Sequence, residues 1–273
     1  MPQREIPKYT NISVVDATPS LCCWAEQVGK MRYCSHTGDS MKNTTLHIAR
    51  RFCGPPNSGN GGYVSGLIAQ HMEQPCQVTL HAPPPLDTDL QLHPHEDGLQ
   101  LKFGEQLLAT ARPYTFDMAI PAPPAMQDAE EAQKRFVGVR HDLPGCFVCG
   151  TNRDPGDGLR IFAGGVCEHE EQVAALWKPA ADLADAQGNV SSEYLWAALD
   201  CPGFFAVKPV SDMALLGRYS ARIEQSVQAG ETLIVSAWAI KHDGRKHNAG
   251  SALYRSNGER VACAEATWIS LKR

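Results

Sequence analysis

At 273 residues, the chain is long enough for one large domain or for two of ordinary size. Hydrophobic residues make up 43% of it and charged residues 20%, which is the balance of a globular protein with a buried core. The formal net charge of -5 argues against a nucleic-acid partner, which would need a strongly basic face. No apolar run approaches the roughly 18 to 20 residues of a membrane helix. The first residues also lack the apolar core of a signal peptide, so we expect a cytoplasmic protein with no membrane partner.

The ten cysteines do not have the spacing of a disulfide framework. Most occur singly, and the exceptions are the adjacent Cys22 and Cys23 and the pair formed by Cys146 and Cys149. A chain of this size does not need covalent cross-links, and unpaired cysteine packs as a small apolar residue. We therefore expect mostly reduced thiols.

In the first half of the chain, a glycine-rich turn precedes an apolar helix. The turn covers residues 54–62, and the helix is predicted over residues 63–72. Apolar runs separated by turn residues then predict four strands, at residues 78–81, 90–92, 99–103 and 107–111. Residues 1–40 show no clear element, and an edge strand is one role open to them.

A proline-rich connector at residues 120–126 and a charged, helix-prone stretch at residues 127–135 follow. The same order of elements then recurs. Residues 186–192 form a turn, and a second apolar helix is predicted over residues 193–199, stopped before Pro202. Four strands follow, separated by turns that include Asp-Gly and Asn-Gly pairs, at residues 218–226, 232–240, 249–254 and 261–271.

The recurrence predicts an α+β fold made of two similar units. We place the first unit at residues 1–118, a linker at 119–140 and the second unit at 141–273. Identity between the halves is low, so the alternative is one irregular α+β domain. The two predicted helices are apolar nearly all round, which indicates that both are buried.

Three segments resemble the hotdog-fold acyl-CoA thioesterases in their double-hotdog form. Residues 52–67 resemble the Gly-Gly helix entrance of these enzymes, and residues 146–160 (Cys-Phe-Val-Cys-Gly onward) resemble the opening of many single-hotdog members. Residues 261–268 are similar to their final strand. The resemblance implies two fused hotdog domains, each a long central helix wrapped by an antiparallel sheet.

Thioester hydrolysis needs donors for the oxyanion, and the first backbone N–H groups of a helix are suited to this because they have no partner of their own. Asn60, Gly61 and Gly62 stand at that position, where glycine lets a ligand approach the backbone closely. The alternative is that these glycines only shape a tight turn before a buried helix.

The resemblance also implies an acidic residue eight positions beyond the first glycine of the helix entrance, and a site shared between two hotdog units. In the first half that position is Ala69; in the second half it is Asp200, where the glycine pair is replaced by Ser192 and Glu193. The first half thus has the glycine pair without the acid, and the second half has the acid without the glycine pair. We predict one composite site, with the glycines of the first half facing Asp200, and an inactive counterpart.

Asp200 is expected to act as a general base on water or as a nucleophile, because a carboxylate on an apolar helix is costly to bury without a purpose. The alternative is a helix-end carboxylate that is bonded to nearby backbone N–H groups or exposed at the break formed by Cys201 and Pro202. Glu193 is the second candidate acid, although a glutamate at this place is more often a capping residue.

Further residues are assigned to substrate binding. Asn57 is a candidate for orienting water or substrate, but it is also a common turn residue, and Tyr63 opens the predicted helix. Arg245 and Lys246, with Lys241, are candidates for the phosphates of coenzyme A, although a charged hairpin tip is also an ordinary surface feature.

Cys146 and Cys149 supply two of the four ligands of a zinc site, with His141 and His169 as conceivable partners. No second pair follows at the required spacing, so we predict no metal and no cofactor, and assign the cysteine pair to packing at the start of a strand.

The leading hypothesis is hydrolysis of an acyl-CoA to free acid and CoA. The rivals are a non-catalytic acyl-CoA-binding or regulatory module and another hotdog activity such as a dehydratase; the Asp and His pair expected of a dehydratase is absent from both helix entrances. A fused pair is expected to function as a monomer, or within a higher homo-oligomer.

Overall fold

The computed structural model of the protein describes residues 43–140, 143–167 and 169–272. These residues belong to one compact unit. The edge strand considered for residues 1–40, the adjacent Cys22 and Cys23, and His141 all lie outside the described residues.

The described residues of the first half, from residue 43 onward, contain one α-helix and five strands. Apolar residues alternate in its strands, which therefore bury one face. The elements are β1 (Thr44–His47), α1 (Gly61–Ala69), β2 (Cys76–Leu80), β3 (Asp89–His95), β4 (Gly98–Phe103) and β5 (Gln106–Pro113).

The second half follows α2 and contains two further α-helices and six strands. The elements are α2 (Met126–Gln133), β6 (Gly164–Val166), β7 (His169–Trp177), α3 (Ser192–Ala198), α4 (Asp200–Val207), β8 (Ala214–Ile223), β9 (Leu233–Asp243), β10 (Lys246–Tyr254) and β11 (Arg260–Ser270).

The eleven strands of the described part of the chain form one antiparallel sheet in the order β1-β3-β4-β5-β2-β8-β11-β10-β9-β7-β6. The order is symmetric about the β2–β8 pair, because β1 to β5 on one side correspond to β7 to β11 on the other. The two halves join where Val78 pairs with Tyr219 and Thr79 pairs with Arg218. The two halves of the chain therefore have the same strand order and form one continuous sheet.

All eight predicted strands are present, most of them longer than the sequence indicated, whereas β1, β6 and β7 were missed. The predicted long central helices are shorter: α1 spans nine residues, and the second helix is divided into α3 and α4. The predicted end of this helix before Pro202 is confirmed, since α3 ends at Ala198, but a separate helix, α4, begins at Asp200 and contains Pro202. Residues 146–160 form turns rather than the start of a strand.

Helices cover both faces of the sheet. The helices α1, α3 and α4 contribute to a core that spans both halves and includes Ile68, Leu195 and Leu199. A smaller cluster on the other face holds Ala129 and Ala132 of α2 against the second half of the sheet. Part of the predicted linker is thus a packed helix. No described helix is long and apolar enough to cross a membrane.

Replacing Tyr219 with phenylalanine is expected to lower the free energy of unfolding by about 0.5–1.5 kcal/mol, the usual net worth of a hydrogen bond. Tyr219 is fully buried at the join between the halves, and its hydroxyl donates to the Trp196 carbonyl at 2.9 Å. Urea unfolding measures the change. A free energy of unfolding equal to that of the wild type would contradict the prediction.

Candidate active site

The break between α3 and α4 places a carboxylate inside the protein. The helix cannot continue unbroken because Pro202 has no N–H group for the Ala198 carbonyl, yet proline is tolerated in the first turn of α4. Two side chains bond the carbonyls near the break: the Tyr219 hydroxyl donates to Trp196, and Ser251 Oγ donates to the Leu199 oxygen at 2.7 Å. Asp200 is therefore the first residue of α4 rather than the end of α3.

Asp200 meets the N-terminus of α1 from the other half. Asn60 caps α1, because its Oδ1 accepts the Tyr63 N–H at 2.9 Å. The Asn60 amide nitrogen donates to Asp200 Oδ2 at 2.8 Å, and the Gly62 N–H donates to the same oxygen at 2.9 Å. One carboxylate oxygen thus takes both donors, and the structure brings together the residues that the composite site requires.

Two glycines of α1 allow this approach. A Cβ atom added to Gly62 would lie 2.5 Å from the Asp200 Cβ and 2.9 Å from the Trp196 carbonyl oxygen. A Cβ atom added to Gly66 would lie 2.7 Å from the Glu193 Cα. Because α1 carries no side chain at these two points, it packs directly against Asp200, Trp196 and Glu193.

Burial dominates the electrostatics of Asp200, which is only 2% exposed. Loss of solvent raises the pKa of its carboxyl group to about 7, while the hydrogen bonds from Gly62 and Asn60 oppose the rise. Its second oxygen, Oδ1, is buried and has no hydrogen-bond partner within the described part of the chain. A buried acceptor without a partner is uncommon and is typical of a functional group.

Asp200 lines a cavity of about 70 Å³. Asn60 and Gly61 also line it, and the Gly61 N–H donates to no other described residue. Much of the remaining wall is apolar, including Leu216 and Trp268. Since one water needs on the order of 10–15 Å³ of such space, the cavity has room for a few waters.

Three cysteines stand at the same cavity. Cys146 and Cys149 are joined there by Cys201 of α4, and the three sulfur atoms lie within 4.8 Å of one another. Hydrogen bonds from the thiols of Cys149 and Cys201, with two from the backbone N–H groups of Cys149 and Val148, hold the pKa of Cys146 well below its usual range. Burial of Cys146 opposes this effect.

The other predicted site residues do not line this cavity. Tyr63 is buried and stacks on the Phe52 ring, with centroids 4.2 Å apart, while Asn57 is an exposed turn residue with a φ of 63°. Arg245 and Lys246 lie at the exposed β9–β10 hairpin.

The position that mirrors the Asp200 site holds different chemistry. Ala69 stands where a carboxylate would be, and the neighbouring Gln70 donates to both Ser192 Oγ and Glu193. Glu193 is partly exposed and is bonded across the helix pair instead of facing a glycine N–H. The inactivity of this counterpart stays a prediction.

Sequence reasoning missed Cys201 and Lys208 as residues of the cavity wall. It also missed Tyr219 and Ser251, which position the start of α4. Tyr219 and Ser251 are distant from the motifs along the chain. Only the position of Cys201, directly after Asp200, gave any signal in the sequence.

No family model and no curated protein sequence matches the chain. Solved structures do. The tesB protein of Mycobacterium avium subsp. paratuberculosis and a thioesterase described as putative from Novosphingobium aromaticivorans each give a TM-score of 0.56 at 10% identity, over 86% of this chain and over 95% and 98% of theirs. A thioesterase II from Thermobifida fusca, also described as putative, gives 0.54 at 12% identity, over 86% of this chain and 94% of its own. The chain therefore has the hotdog fold of thioesterase-superfamily proteins.

Proposed function

We propose that the protein consists of two fused hotdog domains and hydrolyses an acyl-CoA thioester at one composite site. The contact between Asp200 of the second half and Asn60 and Gly62 of the first half carries this proposal. The similarity in fold to proteins named thioesterases supports the reaction class. The boundaries at residues 118 and 140, the cytoplasmic location and the state of assembly stay predictions.

Asp200 is the general base in this scheme. Its Oδ1 removes a proton from a water molecule in the cavity, and the resulting hydroxide attacks the thioester carbonyl carbon. Collapse of the tetrahedral intermediate breaks the carbon–sulfur bond, so the acid is released and the CoA thiolate takes up a proton. Direct attack by Oδ1 on the thioester carbonyl, which would form an anhydride and release the CoA thiolate, is the alternative. If water then opens the anhydride at the Asp200 carbonyl, hydrolysis in ¹⁸O-water under single-turnover conditions places label in Asp200.

The three residues at the start of α1 have separate roles. Asn60 and Gly62 both donate to Asp200, so they orient the base. The Gly61 N–H group donates to no described residue and Gly61 lines the cavity, so it is our candidate donor for the oxyanion. The sequence-based assignment of all three to the oxyanion is thereby narrowed to Gly61.

The residues that the sequence assigned to substrate binding have less structural support than Asp200. Tyr63 packs in the core, and Arg245 and Lys246 are proposed only as surface contacts for the phosphates of CoA. Lys208, which lines the cavity, adds a cation nearer to the proposed reaction centre. Charge-assisted contacts of this kind orient a phosphate-bearing ligand.

A panel of acyl-CoAs tests the proposal, and short acyl groups are expected to react faster than long chains. The physical reason is the small cavity beside Asp200, about 70 Å³. The assay should follow loss of the thioester directly, because a thiol reagent would also react with the cysteines. CoA binding without turnover of any thioester would favour the binding module, and preference for long chains would contradict the expected acyl pocket.

A further inference from the structure

We infer that Cys146, Cys149 and Cys201 form a three-thiolate site for a soft divalent metal ion such as Zn²⁺. The sequence offered two of these ligands and predicted no metal. The third ligand is Cys201, the second residue of α4, whose sulfur lies beside those of the cysteine pair.

The spacing of the sulfur atoms suits a tetrahedral ion. Zinc–sulfur bonds of about 2.3 Å place two thiolates of a tetrahedral site roughly 3.8 Å apart. The sulfur atoms of Cys146 and Cys201 are 3.7 Å apart, and all three sulfurs lie within 4.8 Å.

The backbone around Cys146 is arranged to support a thiolate. The N–H groups of Val148 and Cys149 both point at the Cys146 sulfur. The tight turn depends on Gly150, where a Cβ atom would lie 2.4 Å from the Cys146 carbonyl oxygen. Backbone donors aimed at a ligating sulfur orient it and stabilise its charge, as neighbouring groups commonly do around metal ligands.

Burial separates this cluster from ordinary surface thiols. Cys146 is 1% exposed, Cys149 4% and Cys201 8%, and all three line the cavity. A divalent ion bound there would neutralise two of the three thiolate charges and would use all three sulfurs. The fourth position would face the cavity, which has room for a water.

The site is tested with Co²⁺ and Zn²⁺ added singly to the reduced, metal-stripped full-length protein. One equivalent of Co²⁺ is expected to give intense sulfur-to-cobalt charge-transfer absorption, and Zn²⁺ should abolish it. Loss of a group that supports a metal ligand lowers metal affinity roughly 10- to 100-fold. Loss of a ligand itself should have a larger effect, so Cys201→Ser is expected to weaken metal binding at least about 100-fold.

Cys263→Ser is the matched control. Cys263 is fully buried but does not line the cavity, so its loss should leave binding unchanged. Absence of stoichiometric binding by the reduced wild type would overturn the inference. So would equal weakening in both variants, or a native Cys146–Cys201 disulfide detected as a mass two hydrogens lower. Because the readout is metal absorption, the result is independent of whether acyl-CoA is hydrolysed.

Discussion

Replacement of Asp200 by asparagine is expected to lower the turnover number for thioester hydrolysis by about 100- to 10,000-fold, the range associated with loss of a general base. The carbonyl oxygen of asparagine can still accept the hydrogen bonds that Gly62 and Asn60 now give to one carboxylate oxygen. The fold should therefore survive. Steady-state kinetics on the best acyl-CoA of the panel measures the loss.

Asp200→Ala separates chemistry from structure. This variant leaves the Gly62 N–H and the Asn60 amide buried without an acceptor, at a cost of about 1–3 kcal/mol for an unsatisfied group. We expect both variants to lose activity, and only the alanine variant to lose stability in urea unfolding. Wild-type turnover by the asparagine variant would remove Asp200 from the mechanism and make Glu193 the next residue to test.

The second large effect is expected at Gly62. A methyl group there would lie 2.5 Å from the Asp200 Cβ and 2.9 Å from the Trp196 carbonyl oxygen, so α1 and α3 must move apart. Forced overpacking of this kind costs about 1–3 kcal/mol. A displacement of about 1 Å at the base can lower the rate about 100-fold. Gly62→Ala should therefore reduce both thermal stability and turnover.

Gly165→Ala provides the comparison for that variant. Gly165 has no heavy atom within 4 Å of an added Cβ, and its φ is not positive. Its replacement should leave stability and turnover close to those of the wild type. Equal effects at the two glycines would show that close packing between α1 and α3 does not control the site.

The sequence predicted correctly those features that depend on a residue type with few possible roles at its position. An acid embedded in the apolar run around Asp200, and a glycine pair opening α1, indicated a site because both are costly or unusual in such places. Strands separated by Asp-Gly and Asn-Gly turns were also found, since these pairs strongly favour hairpins.

The missed features depended on tertiary contacts. β7 is rich in Glu, Gln and Ala, which favour helix, and it becomes a strand because it pairs with β9. The helix break at Leu199 is stabilised by Tyr219 and Ser251, which come from distant strands. Cys201 lies 55 residues beyond Cys146, and no local pattern links them.

The mirrored strand order also sets a minimum length for the tether between the halves. From β5 to β6 the chain must pass seven inter-strand spacings of about 4.8 Å, roughly 34 Å, which about ten extended residues can reach. The tether actually has 50 residues, between Pro113 and Gly164. The additional residues include α2, which packs against the sheet, and the Cys146–Cys149 turn, which lines the cavity beside Asp200. The tether is therefore a structural part of both the core and the site.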